Sequence, residues 1–188
     1  MKPPHQVREV ITSSTPWNAP KDYNKITFNI WVIAGGGGGA GNYYSGGTLD
    51  SGQAGGPGGN AQAHTVTLTQ SSYYITVGAA GLGGAGIPTL PVGGWGQHLG
   101  TNGGNSSFGS LITATGGTGG NTTGGGDPAT VPPPAQAGSS GGDVSYPSTS
   151  YPGYGLGGVG GQYAVNSPGA NGQPGAVIIE YMTIDPTK

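Results

Sequence analysis

The sequence predicts an all-β, irregular fold without α-helix: short antiparallel strands at one end of a bundle of glycine-rich legs in polyproline II conformation. Three observations carry this. Glycine (44) and proline (16) fill about a third of the 188 residues, which opposes helix, since each glycine costs about 1 kcal/mol there relative to alanine. The glycines keep a three-residue spacing, as at Gly35, Gly38 and Gly41, or Gly78, Gly81 and Gly84. That is the period of a polyproline II turn, where a residue without a side chain lets backbones approach closely. Between these runs stand short β-branched or aromatic segments that alternate as strands do. Composition without a period would read as low complexity. Period and alternation argue for packing.

Residues 1–25 read as an N-terminal arm for attachment, interrupted by proline and holding four of the five Lys and Arg residues. A short strand is expected at Glu9–Ser13, and Trp17 is placed to dock the arm on the first strand of the body. Residues 26–182 form the glycine-rich domain, and 183–188 a C-terminal tail. The stretch ITFNIWVIAGGGGGAG opens the domain as a strand, with Ile26, Phe28, Ile30 and Val32 facing one way and Thr27 and Asn29 the other. It runs straight into the first glycine leg. After the interruption NYYSGGTLDS, glycines resume at Gly52, Gly55 and Gly58. The segments AQAHTVTLTQ and YYITV, joined by Ser71 and Ser72, read as a hairpin.

A leg at Gly78–Gly84, the interruption IPTLPV and a looser leg through Gly94, Gly100 and Gly103 follow. NSSFGSLITAT gives a third β segment, with Phe108 and Leu111 as core residues. Gly116–Gly126 makes a leg, DPATVPPPAQA a proline-rich loop, and Gly138 and Gly141 a further leg before DVSYPSTSYPGY. Legs at Gly155–Gly161 and Gly169–Gly175 flank QYAVNSP, and AVIIEY is the closing strand. The count is about eight legs. If they run alternately up and down, parity gathers the β segments at one end. The loops at 42–51, 87–94, 127–137 and 162–168 then share the other. DVSYPSTSYPGY falls at the β end on this count, or at the loop end if Gly138–Gly142 is loop.

Charge excludes some partners. Five Lys plus Arg stand against seven Asp plus Glu, and between Ile26 and Thr187 there is no Lys or Arg. A nucleic-acid binder needs many cations, as does an anionic membrane surface, so neither partner is expected. No apolar run reaches transmembrane length, and no membrane insertion is expected. There is no cysteine, hence no disulfide and no thiolate metal site.

Catalytic chemistry is not indicated. The carboxylates Asp50, Asp127, Asp143, Glu180 and Asp185 are scattered, and His5, His64 and His98 have no metal-ligand spacing. Neither an enzyme nor a cofactor is expected. GGPGG and GAAGLGG look like phosphate loops only superficially, since neither opens a helix. The aromatics say more. Ten tyrosines and three tryptophans against two phenylalanines favour rings with a polar handle, the usual anchors of recognition surfaces. Tyr43, Tyr44, Trp95, Tyr146, Tyr151 and Tyr154 lie in loops or leg ends, where they serve either as anchors or as caps on the lattice. With Leu49 and His98 they make up the candidate binding residues.

The phrases NIWVIAGGGGGAG, YYITVGAAGLGG, GGNSSFGSLITATGG and GQPGAVIIEY, in this order, resemble the glycine-rich tip domains of bacteriophage tail-fibre adhesins. The resemblance spans roughly Ile26–Tyr181, and NSSFGSLITATGG is its most specific part, because glycine content does not predict it. It implies a stacked bundle of polyglycine II helices whose apical loops recognise a bacterial surface receptor, either lipopolysaccharide or an outer-membrane protein. It further implies a place in the virion at a tail fibre or tail tip, beside other virion proteins, with a homotrimer among the assemblies to consider. Those adhesins usually carry a larger N-terminal attachment part than the 25 residues here. Two other readings stand beside it. One is a structural virion protein, such as a capsid decoration or baseplate component. The other is an ice-binding bundle, against which the bulky tyrosine and proline loops argue.

Overall fold

The computed structural model describes residues 4–41, 43–45, 48–50, 56, 58–86, 98–120, 153–161 and 167–183. In chain order its strands are β1 (His5–Ile11), β2 (Thr15–Asn18), β3 (Thr27–Ile33), β4 (Tyr43–Ser45), β5 (Thr48–Asp50), β6 (Ala61–Thr67), β7 (Ser72–Thr76), β8 (Ser106–Phe108), β9 (Ile112–Ala114) and β10 (Ala176–Thr183). Among the described residues there is no α-helix; one 3-10 turn, Tyr23–Lys25, precedes β3. One sheet has the order β1-β10-β3-β6 and a second the order β2-β7-β8-β9, all neighbours antiparallel. A separate hairpin pairs β4 with β5.

The two sheets share one core. Alternation along β3 sends Phe28, Ile30 and Val32 to it, joined by Val177 and Ile179 of β10. From the second sheet come Trp17, Tyr73, Ile75, Phe108, Ile112 and Ala114. Phe108 stacks on Tyr73 at 4.7 Å, and Trp17 meets the edge of Phe28 at 6.1 Å. The expected docking of Trp17 on the first strand is therefore present. Burying each such ring or aliphatic chain contributes roughly 1.5–3 kcal/mol, so the sandwich holds the apolar stabilisation that the glycine rods lack.

Four expectations need correction. The strand expected at Glu9–Ser13 is the longer β1, set by its ladder with β10, which runs from His5 opposite Thr183 to Ile11 opposite Val177. The segments expected to pair as a hairpin do not: β6 joins β3 in one sheet, and β7 joins β2 and β8 in the other. The chain at residues 68–71 thus crosses between sheets, with Leu68 buried in the core. The third β segment is two strands. Leu111 lies in the turn between β8 and β9 and is 46% exposed, because the turn moves the inward place to Ile112.

Residues ahead of β3 are woven into both sheets. Glu9 accepts hydrogen bonds from Trp17 Nε1 at 2.9 Å and from the Tyr181 hydroxyl at 3.2 Å. Burial pushes that hydroxyl up to about 12, and the charge of Glu9 and its hydrogen bond add to the shift. On the other face of the same strand pair, buried Glu180 accepts from Gln6 Nε2 at 2.8 Å, and Arg8 Nε lies 3.4 Å from it.

Beyond the sandwich the chain forms seven rods among the described residues. The first, 34–41, is central. Ala34, Gly35 and Gly36 donate their N–H groups to Asn60, Gly104 and Gln173, on three different rods. Gly38, Gly39 and Gly41 continue the pattern to Thr101, Ala170 and His98. Because the partner numbers fall as the donor numbers rise, these rods run antiparallel to the centre. The carbonyls of Gly35, Gly36 and Gly37 accept from Gly117, Gly81 and Gly158, on three further rods that run parallel to it. Each of these bonds joins two rods. Successive residues serve different neighbours, which is why the pattern repeats every third residue, as in polyglycine II.

The six outer rods close a ring. Around the centre come 78–86, 98–105, 115–120, the rod through Gly56 and Gly59, 155–161 and 167–175, each bonded to the next. Parallel and antiparallel members alternate. An outer rod faces inward once per turn, and Gly78, Gly81 and Gly84 are buried while Ala79, Leu82 and Ala85 are exposed. The central rod faces a neighbour in every direction, so Ala34 to Gly41 are all buried. This accounts for five consecutive glycines there and a G-x-x spacing elsewhere. The leg expected at Gly138 and Gly141 lies outside the described residues.

Candidate functional site

Rod direction sorts the chain into two ends. Ala34, Asn60, Gly78, Gly104, Gly116, Gly155 and Gly175 lie at the sandwich end; Gly41, Gly86, His98, Gly120, Gly161 and Ser167 lie toward the far end. The connections 87–97 and 162–166 begin and finish toward that far end, and the segment 42–55 leaves from it. At about 3.1 Å per residue, the central rod carries it roughly 22 Å from the sandwich.

The β4–β5 hairpin starts two residues beyond Gly41, with Tyr43 opposite Asp50 and Tyr44 opposite Leu49 in register. Its neighbour is fixed by the backbone, since Gly41 donates to the His98 carbonyl at 2.7 Å. The structure thereby brings His98, half-buried, to the same end as the hairpin bearing Tyr43, Tyr44 and Leu49. Trp95, Tyr146 and Tyr151 lie outside the described residues. Tyr154 goes to the opposite end, half-buried against Trp31, Ile33 and Ile178, because its rod starts at the sandwich.

Two features went unread in the sequence. Leu99 is 47% exposed beside His98; its position directly before inward-facing Gly100 is the signal that turns it outward. The second is a set of side-chain caps on outward N–H groups of the ring. Thr101 Oγ1 accepts from Leu82, Asn102 Oδ1 from Gly119, Asn105 Oδ1 from Gly116 and Asn171 Oδ1 from Gly83, at 2.7–2.9 Å. An outer rod has no partner for these donors on its solvent side, and a short amide or hydroxyl one rod away supplies it. Asn102 and Asn105 stand three apart, the rod period, and that spacing is legible.

Residues 10–142 match the family model of a glycine-rich domain. The chain belongs to this glycine-rich domain family. The match begins in β1 and takes in the central rod and four rods of the ring; the rods 155–161 and 167–175, which complete the ring of this glycine-rich domain, follow it. No curated protein matches the chain. Among the described residues of the glycine-rich domain, no three His, Cys, Asp or Glu side chains gather as a metal site, and no helix is long and apolar enough to cross a membrane.

Proposed function

We propose that this glycine-rich domain is the tip of a bacteriophage tail-fibre or tail-tip adhesin, a non-enzymatic receptor-binding protein. Its target is a bacterial surface receptor, lipopolysaccharide or an outer-membrane protein. The observation that carries the reading is the ring of rods, which turns the connections 87–97 and 162–166 at the end remote from the sandwich and sends the segment 42–55 out from the same end. A rigid scaffold presenting loops at one end is the usual architecture of a recognition surface. Tyr43, Tyr44, Leu49, Trp95 and His98 belong to those loops or to the rod ends beside them, and aromatic anchors favour such use. Tyr154 packs at the other end and has no part in this surface. The rigidity of the bonded rods also suits a structural virion protein that uses the bundle as a spacer.

A Tyr44→Ala plus Trp95→Ala variant tests the first reading. Removing anchors of this kind typically costs about 2 kcal/mol or more, so host-cell adsorption of the purified domain should fall more than about tenfold. Circular dichroism should show the fold retained. Parental binding by a folded variant would sink the assignment of this surface. Immunogold labelling of the particle separates the readings, at the tail tip for an adhesin and on the capsid or baseplate for a spacer.

A further inference from the structure

We propose that Asn102 and Asn171 are latent deamidation sites that the rod lattice holds shut, and that their conversion marks irreversible loss of a rod. This stands apart from the adhesin reading. The chain contains two Asn-Gly steps, Asn102–Gly103 and Asn171–Gly172. In a free chain this is the most labile asparagine setting, because glycine leaves its own N–H unhindered. The glycine nitrogen loses its proton and bonds to the asparagine Cγ. The Cγ–Nδ2 bond breaks, and the side-chain nitrogen leaves with the proton as ammonia. Water then opens the resulting succinimide to aspartate or isoaspartate.

Both partners in that step are committed here. Gly103 N–H donates to the Gly117 carbonyl at 2.8 Å, and Asn102 Oδ1 accepts from Gly119 N–H at 2.8 Å. At the second site Gly172 N–H donates to Gly81 at 2.9 Å, and Asn171 Oδ1 accepts from Gly83 N–H at 2.8 Å. Neither asparagine is buried, so water reaches both side chains and burial is not what protects them. Attack requires the nitrogen to leave its carbonyl and turn onto Cγ while the amide leaves its cap. Two hydrogen bonds must open together, and each ties the rod to a neighbour.

The products differ in consequence. Aspartate keeps an oxygen where the cap needs one. Isoaspartate adds one carbon to the backbone, which throws the following residues out of the three-residue register. After Asn102 this displaces Gly104, which accepts from Gly35; after Asn171 it displaces Gln173 and Gly175, which bond to Gly36, Leu156 and Gly78.

The test holds the intact chain in mildly alkaline buffer with and without denaturing urea and follows both sites by peptide mass spectrometry. Conversion in the folded chain should be slower by more than about tenfold, as expected when local opening must precede reaction. Equal rates in the two conditions would overturn the proposal. A Gly169→Ala variant adds, on the rod carrying Asn171, a methyl that meets the Gly39 carbonyl of the central rod. If circular dichroism shows it folded, Asn171 should convert faster while Asn102 stays slow; an equal rise at both sites contradicts rod-by-rod control. If it unfolds, both sites should convert at the urea rate, and retained amides there would equally overturn the idea.

Discussion

Tyr181 stands where three strands meet: it belongs to β10, its ring lies 5.0 Å from Phe28 of β3, and its hydroxyl binds Glu9 of β1. Burial and the Glu9 carboxylate disfavour the phenolate, moving the group from 10.0 to about 12. The unfolded chain therefore gives up this proton near pH 10 while the folded chain keeps it. The associated stability is whole below pH 10 and is lost as pH rises toward 12, since in that window the folded state holds more protons. Tyr181→Phe should flatten this alkaline limb in urea unfolding measured across pH. At neutral pH it should cost about 1 kcal/mol for the lost hydrogen bond. An alkaline limb identical to the parent's would show that other tyrosines carry it.

A rod is held by its glycines differently at different places. An alanine methyl at Gly38 would lie within bonding range of the Leu82 carbonyl, a backbone atom that cannot turn aside. Gly38→Ala should therefore destabilise by about 3 kcal/mol. Leu82→Ala, on the 60% exposed side of the neighbouring rod, should stay within about 0.5 kcal/mol. Equal melting temperatures for the two would rule out a central rod. Much of this element was legible: glycine spacing gave the rods, and alternation in Phe28, Ile30 and Val32 gave the core face of β3. The central place of residues 34–41 was not read, although a rod without side chains in any direction needs neighbours in every direction. Alternation also names a face and never a partner, which is why β6 and β7 looked like a hairpin. In NSSFGSLITAT the turn at Gly109–Leu111 carries the leucine outward, and Ile112, which alternation from Phe108 also points to, takes the core place.

Across the whole molecule, protection should grade from the axis outward. The N–H groups of Gly35, Gly36, Gly38, Gly39 and Gly41 bond to backbone carbonyls inside a closed ring. Those of Leu82, Gly83, Gly116 and Gly119 bond to side chains on the solvent side. Hydrogen exchange followed by NMR should place the first set near the global unfolding limit and release the second set sooner. Uniform exchange across both sets would mean that the bundle opens as one unit. The two-ended plan was readable from parity, but the end of Tyr154 was not: it turned on whether Gly138–Gly142 is leg or loop, and Tyr154 stood among the binding candidates until its packing on Trp31, Ile33 and Ile178 placed it at the sandwich. Chain periodicity could not say how the rods pair around the axis, because glycine rods differ too little in side chains to encode their neighbours.

The position of the axis early in the chain bears on how the molecule is made. A ribosome delivers the five consecutive glycines long before the rods 155–161 and 167–175 exist, and β10 must enter between β1 and β3 after both. Gln6 waits 174 residues for Glu180. Until then the future centre is hydrated backbone with no side chain to collapse, and loop closure over such separations makes assembly slow. Folding of this domain thus waits for residues 155–183, and the first rod made is the last to be enclosed.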